Sequence, residues 1–149
     1  MTPRDDEYWM RMALQEASRA YDEDEVPIGA IIIANGKIIG KGYNQVERLC
    51  DATAHAEMLA ITAAANYLGA KFLDDCTLYV TLEPCPMCAA ALRWSRIGKV
   101  VYGAPDAKAG YSQFGKKLFH PKTEIVQGLL AQECGGLVSE FFKQKRKDN

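Results

Sequence analysis

Two short segments of the chain carry side chains that could bind a metal ion and move a proton. One is His55-Ala56-Glu57, and the other is Pro84-Cys85-Pro86-Met87-Cys88. Cys85 and Cys88 are three residues apart, so at the start of a helix both sulfur atoms would point to one side of the first turn. With His55 they form a set of three zinc ligands, which leaves one position of a tetrahedral ion open, as in catalytic sites. The spacing therefore predicts one catalytic Zn²⁺ per chain.

Glu57 is predicted to move protons at this site rather than to bind the metal. Its hard carboxylate lies beside a set that already has three ligands, and an open zinc position activates a water molecule near neutral pH. The two cysteines could instead be a redox pair or half of a structural zinc site. A redox pair gives the upstream His-x-Glu no role, and a structural site requires a second closely spaced pair. The remaining cysteines, which supply no such pair, are Cys50, Cys76 and Cys134.

The composition is that of one globular domain over residues 1–149. Hydrophobic residues make up 48% of the chain, which is enough for one sizeable core, and no apolar run reaches membrane-spanning length. An odd number of cysteines without a recognisable secretory signal predicts a location in the reducing cytoplasm. The net charge of -1 does not favour a nucleic-acid-binding protein, although a local basic patch would be sufficient for one.

Periodicity and turn residues predict four helices and five strands. The predicted helices cover 5–21, 54–68, 87–95 and 129–147, and the predicted strands cover 30–34, 37–43, 76–82, 99–103 and 123–127. Asn35-Gly36 is typical of a two-residue hairpin turn. Thr53 or a neighbour is expected to cap the second helix, and Gly69 to end it. The acidic run 22–25 is expected to be a solvated loop, and 104–121 is a loop rich in glycine, lysine and aromatic residues.

The order of these elements indicates an α/β fold. A hairpin followed by strands that alternate with helices predicts a three-layer α/β/α domain with a five-stranded mixed sheet. His55 is expected in the first turn of the second helix, and Cys85 precedes the third. Two helix N-termini would therefore converge on the metal, at strand ends where such sheets usually bind ligands. Their partial positive charge would favour thiolates over thiols.

The same motifs resemble those of a known superfamily. His-x-Glu followed by Pro-Cys-x-x-Cys is the pattern of the cytidine-deaminase-like zinc deaminases. The flanking segments resemble the bacterial tRNA-specific adenosine deaminases more specifically, and the resemblance covers nearly the whole chain. These segments are 25–30, 53–57, 78–85, 95–104 and Phe141-Phe142.

The resemblance implies a zinc-dependent hydrolase that converts adenosine to inosine at the wobble position of a tRNA anticodon and acts as a homodimer. It assigns the zinc to the three ligands named above and makes Glu57 the acid/base. It also implies that Asn44 and the backbone of Ala56 contact the substrate base. From the residues alone, Asn44 is equally well explained as a turn residue after a strand.

Aromatic and basic side chains near the C-terminus are the predicted contacts with the tRNA anticodon loop. An aromatic ring can stack on an unpaired base, and lysine or arginine can neutralise phosphates. The candidate residues are Phe142, Lys143, Lys145 and Arg146. From the residues alone, a phenylalanine here could simply pack the last helix against the sheet, and a basic C-terminus could simply be solvated.

Two features depart from the RNA-editing family. The segment 109–121, which follows Asp106-Ala107-Lys108, is shorter than the family's loop and helix, which help to hold the anticodon loop. Pro86 is also common in guanine deaminases of the same superfamily. The alternative function is therefore deamination of guanine or another free base or nucleoside. A zinc module without enzymatic activity is disfavoured, because it would leave Glu57 without a role.

The third helix gives a separate indication of a homodimer. It is apolar nearly all round, so it must be covered on more than one face. Within one chain, the sheet and the last helix could provide that cover. The apolar residues are Ala89, Ala90, Ala91, Leu92 and Trp94.

Overall fold

The computed structural model describes residues 5–148. It contains a five-stranded mixed sheet, as the sequence predicts, and the strand order is β2-β1-β3-β4-β5. The strands are β1 (Gly29–Ala34), β2 (Lys37–Tyr43), β3 (Thr77–Leu82), β4 (Lys99–Ala104) and β5 (Glu124–Val126). The helices are α1 (Asp6–Asp22), α2 (Ala56–Leu68), α3 (Pro86–Trp94) and α4 (Ala131–Asp148).

The first two strands form the predicted hairpin. Asn35 and Gly36 have φ angles of 52° and 73°, which is the left-handed region that a two-residue turn of this kind requires. β1 pairs antiparallel with both β2 and β3, whereas β3 and β4 pair in parallel, as do β4 and β5. The carboxyl ends of β3 and β4 therefore lie at the same edge of the sheet.

Helices cover both faces of the sheet, which confirms the three-layer architecture. Residues of α2 and α3 pack on one face, in a core with Ile32, Leu78 and Val100. α1 and α4 pack on the other face, where Trp9 and Cys134 belong to one cluster. α2 approaches β2 closely, because a Cβ atom at Gly40 or Gly42 would overlap the α2 backbone.

The start of α2 differs from the prediction. The helix begins at Ala56, and His55 is its N-cap residue rather than a member of its first turn. Thr53 is not the cap, because its hydroxyl and its backbone N–H both donate to the Asp51 carboxylate, at 2.7 and 2.8 Å. The predicted end is confirmed, since Gly69 adopts a left-handed conformation with φ 64°.

The segment between β4 and β5 is more ordered than a long loop. It contains two 3-10 helices, Tyr111–Gln113 and Lys116–Leu118, and the buried ring of Phe119 contacts that of Tyr111. Among residues 5–148, no helix has the length and apolar character that crossing a membrane requires.

Candidate metal centre and substrate cleft

The three predicted metal ligands meet where two helices begin. His55 is the N-cap residue of α2, Cys85 is the N-cap residue of α3, and Cys88 lies in the first turn of α3. The His55 Nδ1 atom lies 3.6 Å from the Cys85 Sγ atom and 3.5 Å from the Cys88 Sγ atom. A tetrahedral zinc ion with ordinary bond lengths to nitrogen and sulfur requires about 3.6 Å between those two atoms. The donor set and its spacing therefore fit one zinc ion.

Hydrogen bonds around the cysteines favour a thiolate at Cys85. Its pKa is lowered to about 4, chiefly by a hydrogen bond from the Cys88 side chain and also by those from His55 and the Cys88 backbone N–H. The pKa of Cys88 is raised, because its thiol donates to Cys85 and is buried. The hydrogen bond to Cys85 also raises the pKa of His55. Thiolate at this position is the form that binds zinc.

Glu57 lies beside this ligand set and is almost completely shielded from solvent. It is the second residue of α2, and its exposed fraction is 4%. Burial raises its pKa to about 7, with a further increase from the charge on Cys85. A carboxyl group with this pKa can both accept and donate a proton near neutral pH.

A cleft of about 920 Å³ opens beside His55. Its walls come from the loop after α1, the loop after β2 and the C-terminal part of α4. Ala56 does not line the cleft, because its methyl group is buried. It is the first residue of α2, however, and the first N–H groups of a helix have no partner within the helix. The backbone N–H of Ala56 is therefore presented at the metal centre. The volume lies in the range of small-molecule sites.

Asn44 lines this cleft, and its side chain also holds the turn after β2. Its Nδ2 atom donates to the Val26 carbonyl at 3.2 Å, and its Oδ1 atom accepts from the Val46 N–H at 3.3 Å. Only 7% of the residue is exposed. The structure therefore shows that Asn44 holds the turn and also lines the cleft that opens at His55.

Two of the four candidate RNA contacts line the cleft. Phe142 is 43% exposed there, whereas Phe141 is buried and packs against Tyr21. Lys145 also lines the cleft and forms an ion pair with Asp24 at 2.6 Å. The other two candidates, Lys143 and Arg146, are exposed on α4 but do not line the cleft.

The prediction of a solvated loop at 22–25 is wrong for Glu25. Only 2% of this residue is exposed, because its carboxylate accepts hydrogen bonds from the backbone N–H groups of Glu47 and Arg48, at 3.0 and 2.7 Å. Glu25 thereby joins two walls of the cleft. This residue and a second buried carboxylate, Glu83, are not among the predicted functional residues. Both lie within segments that resemble the RNA-editing family, 25–30 and 78–85, and each is followed closely by a proline.

Comparison with known proteins decides the family. Residues 3–104 match the cytidine and deoxycytidylate deaminase zinc-binding region. The chain belongs to this family of zinc-dependent deaminases. It is 47% identical over 147 residues to a tRNA-specific adenosine deaminase of Bacillus subtilis, covering 95% of this chain and 91% of the relative. The resemblance stated from the motifs is thereby confirmed.

Solved structures of family members superpose well on the chain. One, from a study of tRNA:A34 deaminases that edit the wobble position, has a TM-score of 0.81 and 39% identity, covering 87% of this chain and 98% of its own. A guanine deaminase from Bacillus subtilis has a TM-score of 0.67 and 39% identity, covering 76% of this chain and 73% of its own. The deaminase fold is therefore shared by proteins that act on different purines.

Proposed function

We propose that this zinc-dependent deaminase converts adenosine to inosine at the wobble position of a tRNA anticodon. The observation that carries the proposal is the spacing of His55, Cys85 and Cys88 around one zinc-sized position, with buried Glu57 beside it. The choice of substrate is supported by relatives of 39 to 47% identity named as tRNA-specific adenosine deaminases, which match 92 to 95% of the chain.

The chain's own residues supply the proton transfers of this reaction. When bound, zinc supplies a Lewis acid that makes a water molecule nucleophilic near neutral pH. Glu57 accepts a proton as that water adds to the purine carbon that bears the amino group. It passes this proton to the adjacent ring nitrogen. It then takes the proton that remains on the added hydroxyl and delivers it to the departing amine, so that inosine and ammonia result. Its raised pKa suits both steps.

The cleft offers contacts for a base that is turned out of an RNA loop. Asn44 and the first N–H group of α2, that of Ala56, are the proposed contacts of the purine, and Phe142 is the proposed stacking surface for a neighbouring base. Lys145 would release its ion pair with Asp24 and bind a phosphate instead. Lys143 and Arg146 extend the positive charge along α4. Unpaired anticodon bases cost little to extrude.

Phe142→Ala is expected to weaken binding of an anticodon stem-loop about fivefold or more, because stacking on one base is worth roughly 1–3 kcal/mol. Zinc content should not change. Fluorescence anisotropy of a labelled stem-loop measures the affinity. Tyr67→Ala is the matched control, since Tyr67 is 63% exposed but lies at the opposite end of α2 from the metal centre. Equal affinities for Phe142→Ala and the wild type would remove Phe142 from the RNA site.

The runner-up function is deamination of guanine or another free base. It is favoured by the similarity to a guanine deaminase and by the four acidic residues around the cleft, which do not attract phosphates. Two of these acids are neutralised within the chain, as Glu23 pairs with Arg48 and Asp24 pairs with Lys145. The relatives named as tRNA-specific adenosine deaminases match nearly the whole chain, which favours the RNA substrate.

The reaction itself is tested with zinc-loaded protein and a stem-loop that carries adenosine at the wobble position. Mass spectrometry of the digested RNA should show inosine at that position. A stem-loop in which the only anticodon-loop adenosine lies outside the wobble position is the control. Absence of inosine from both RNAs would exclude the proposed reaction.

We also propose a homodimer in the cytoplasm, with the whole chain working as one domain. α4 lies on the opposite face of the sheet from α3, so it does not provide the cover that the apolar α3 requires. Trp94, at the end of α3, is 80% exposed. The cysteines are all unpaired, which agrees with a reducing compartment.

Trp94→Glu is expected to shift the protein from dimer to monomer, because a charge would be placed in an apolar interface. Light scattering at micromolar concentration measures the mass. Lys41→Glu, which changes an exposed residue of strand β2, should leave the dimer intact. A wild-type mass equal to that of one chain would contradict the dimer.

A further inference from the structure

A buried carboxylate ties the loop after β4 to the turn that carries the metal ligands. Glu83 follows β3, lies two residues before Cys85 and is 4% exposed. One carboxylate oxygen accepts from the Asp106 N–H at 3.1 Å. The other accepts from the Ser112 N–H at 3.1 Å and from the Ser112 hydroxyl at 2.8 Å. All three hydrogen bonds reach the segment 105–113.

Further contacts lock the same two segments together. The Pro84 carbonyl, next to Cys85, accepts from the Tyr111 N–H at 2.8 Å, and the Glu83 N–H donates to the Ala104 carbonyl at 2.8 Å. Gly110 is packed so closely that a Cβ atom there would overlap the Glu83 carboxylate. The shape of the loop therefore depends on the position of this carboxylate.

The loop after β4 lies beside the metal ligands, so its shape affects the surface around the metal centre. β3 and β4 are parallel neighbours, so the segment after β4 leaves the sheet at the edge where Cys85 lies. Its outer surface presents the exposed residues Lys108 and Gln113, followed by Phe114, which is 57% exposed. The Gln113 amide donates to the Ala107 and Lys108 carbonyls, which closes the loop on itself.

We propose that Glu83 is a positioning residue, which holds the 105–113 loop in a fixed shape beside the metal centre so that the loop presents a ready surface to the RNA substrate. The proposal rests on the RNA function proposed above. An ordered loop binds without losing conformational freedom, so this residue acts on substrate affinity. A carboxylate is needed because donors face both oxygens, whereas a glutamine amide would present N–H groups to one set of those donors.

Glu83→Gln tests the proposal, because it keeps the size of the side chain. We expect exchange of the Asp106 and Ser112 amide hydrogens to accelerate about tenfold or more, as hydrogen bonds to a charged acceptor are lost. The KM for the stem-loop should rise by a similar factor of about ten, with kcat changed by less than about threefold and zinc content unchanged. Glu16→Gln, a buried carboxylate on α1, is the matched control and should change none of these values.

Gly110→Ala changes the same contact, but in the loop and not at the Glu83 carboxylate. Its methyl group should displace the loop from the carboxylate and reproduce both the faster exchange and the higher KM. Combined with Glu83→Gln, it should raise KM by less than the product of the two single effects, because both changes release one loop.

Two results would overturn the positioning role. One is wild-type exchange at the Asp106 and Ser112 amides in Glu83→Gln. The other is a loss of zinc and of kcat without a change in KM, which would make Glu83 a structural support of Cys85. If the wild-type enzyme does not act on the stem-loop, the proposed substrate fails, and amide exchange together with zinc content then decides whether Glu83 fixes the loop.

Discussion

Glu57→Gln lowers turnover about 100-fold or more, while the protein keeps its zinc. This result is expected because the change removes the proton carrier but none of the three metal ligands. General acid–base catalysis contributes about 100-fold to 10,000-fold in typical enzymes. Ammonia release at saturating substrate measures turnover, and atomic absorption measures the zinc content of the same sample.

Glu16→Gln provides the comparison, since it neutralises another buried carboxylate on α1, which packs on the opposite face of the sheet from α2 and α3. It should retain wild-type turnover. Zinc lost in step with activity from Glu57→Gln would mean that Glu57 supports metal binding. The proton-transfer role assigned to it would then be wrong.

Replacing both cysteine ligands is expected to remove nearly all bound zinc and all measurable deamination. In the Cys85→Ala, Cys88→Ala variant a single imidazole remains of the three-ligand set, and one histidine does not hold zinc against dialysis. The variant should also melt at a lower temperature than the zinc-loaded protein, because metal that binds only the folded state stabilises it. The wild type should contain one zinc per chain.

Changes at the other cysteines serve as controls. Cys50→Ser alters an exposed residue and should change neither zinc content nor turnover. Cys76→Ala and Cys134→Ala alter buried residues and are expected to lower stability somewhat but to keep the zinc. Two zinc ions per chain, or unchanged zinc in the double variant, would contradict a single site at these ligands.

The parts of the fold that local sequence determines were predictable. A two-residue turn needs residues that tolerate positive φ, and Asn35-Gly36 provides them. Cys85 and Cys88 must share a side of a helical turn because of their spacing, and the structure brings both sulfur atoms within 3.6 Å of His55. Glycine at position 69 ends α2 for the same local reason.

Features that depend on contacts distant in sequence were not predictable. Glu25 lies within an acidic run typical of a solvated loop, and its burial follows from two N–H groups more than twenty residues away. Thr53 has the residue type of a helix cap, but Asp51 provides a competing partner for its hydroxyl. The return of α4 to the cleft, which places Phe142 in the wall of the cleft that His55 also lines, is set by tertiary packing.

The most direct test of the substrate compares kcat/KM for two substrates of the same zinc-loaded protein. One is an anticodon stem-loop with adenosine at the wobble position, and the other is free guanine. We predict efficient conversion of the stem-loop adenosine to inosine, binding that weakens steeply as salt rises, and little or no ammonia from guanine. Efficient turnover of guanine with an unaltered stem-loop would contradict the RNA function and establish the free base as the substrate.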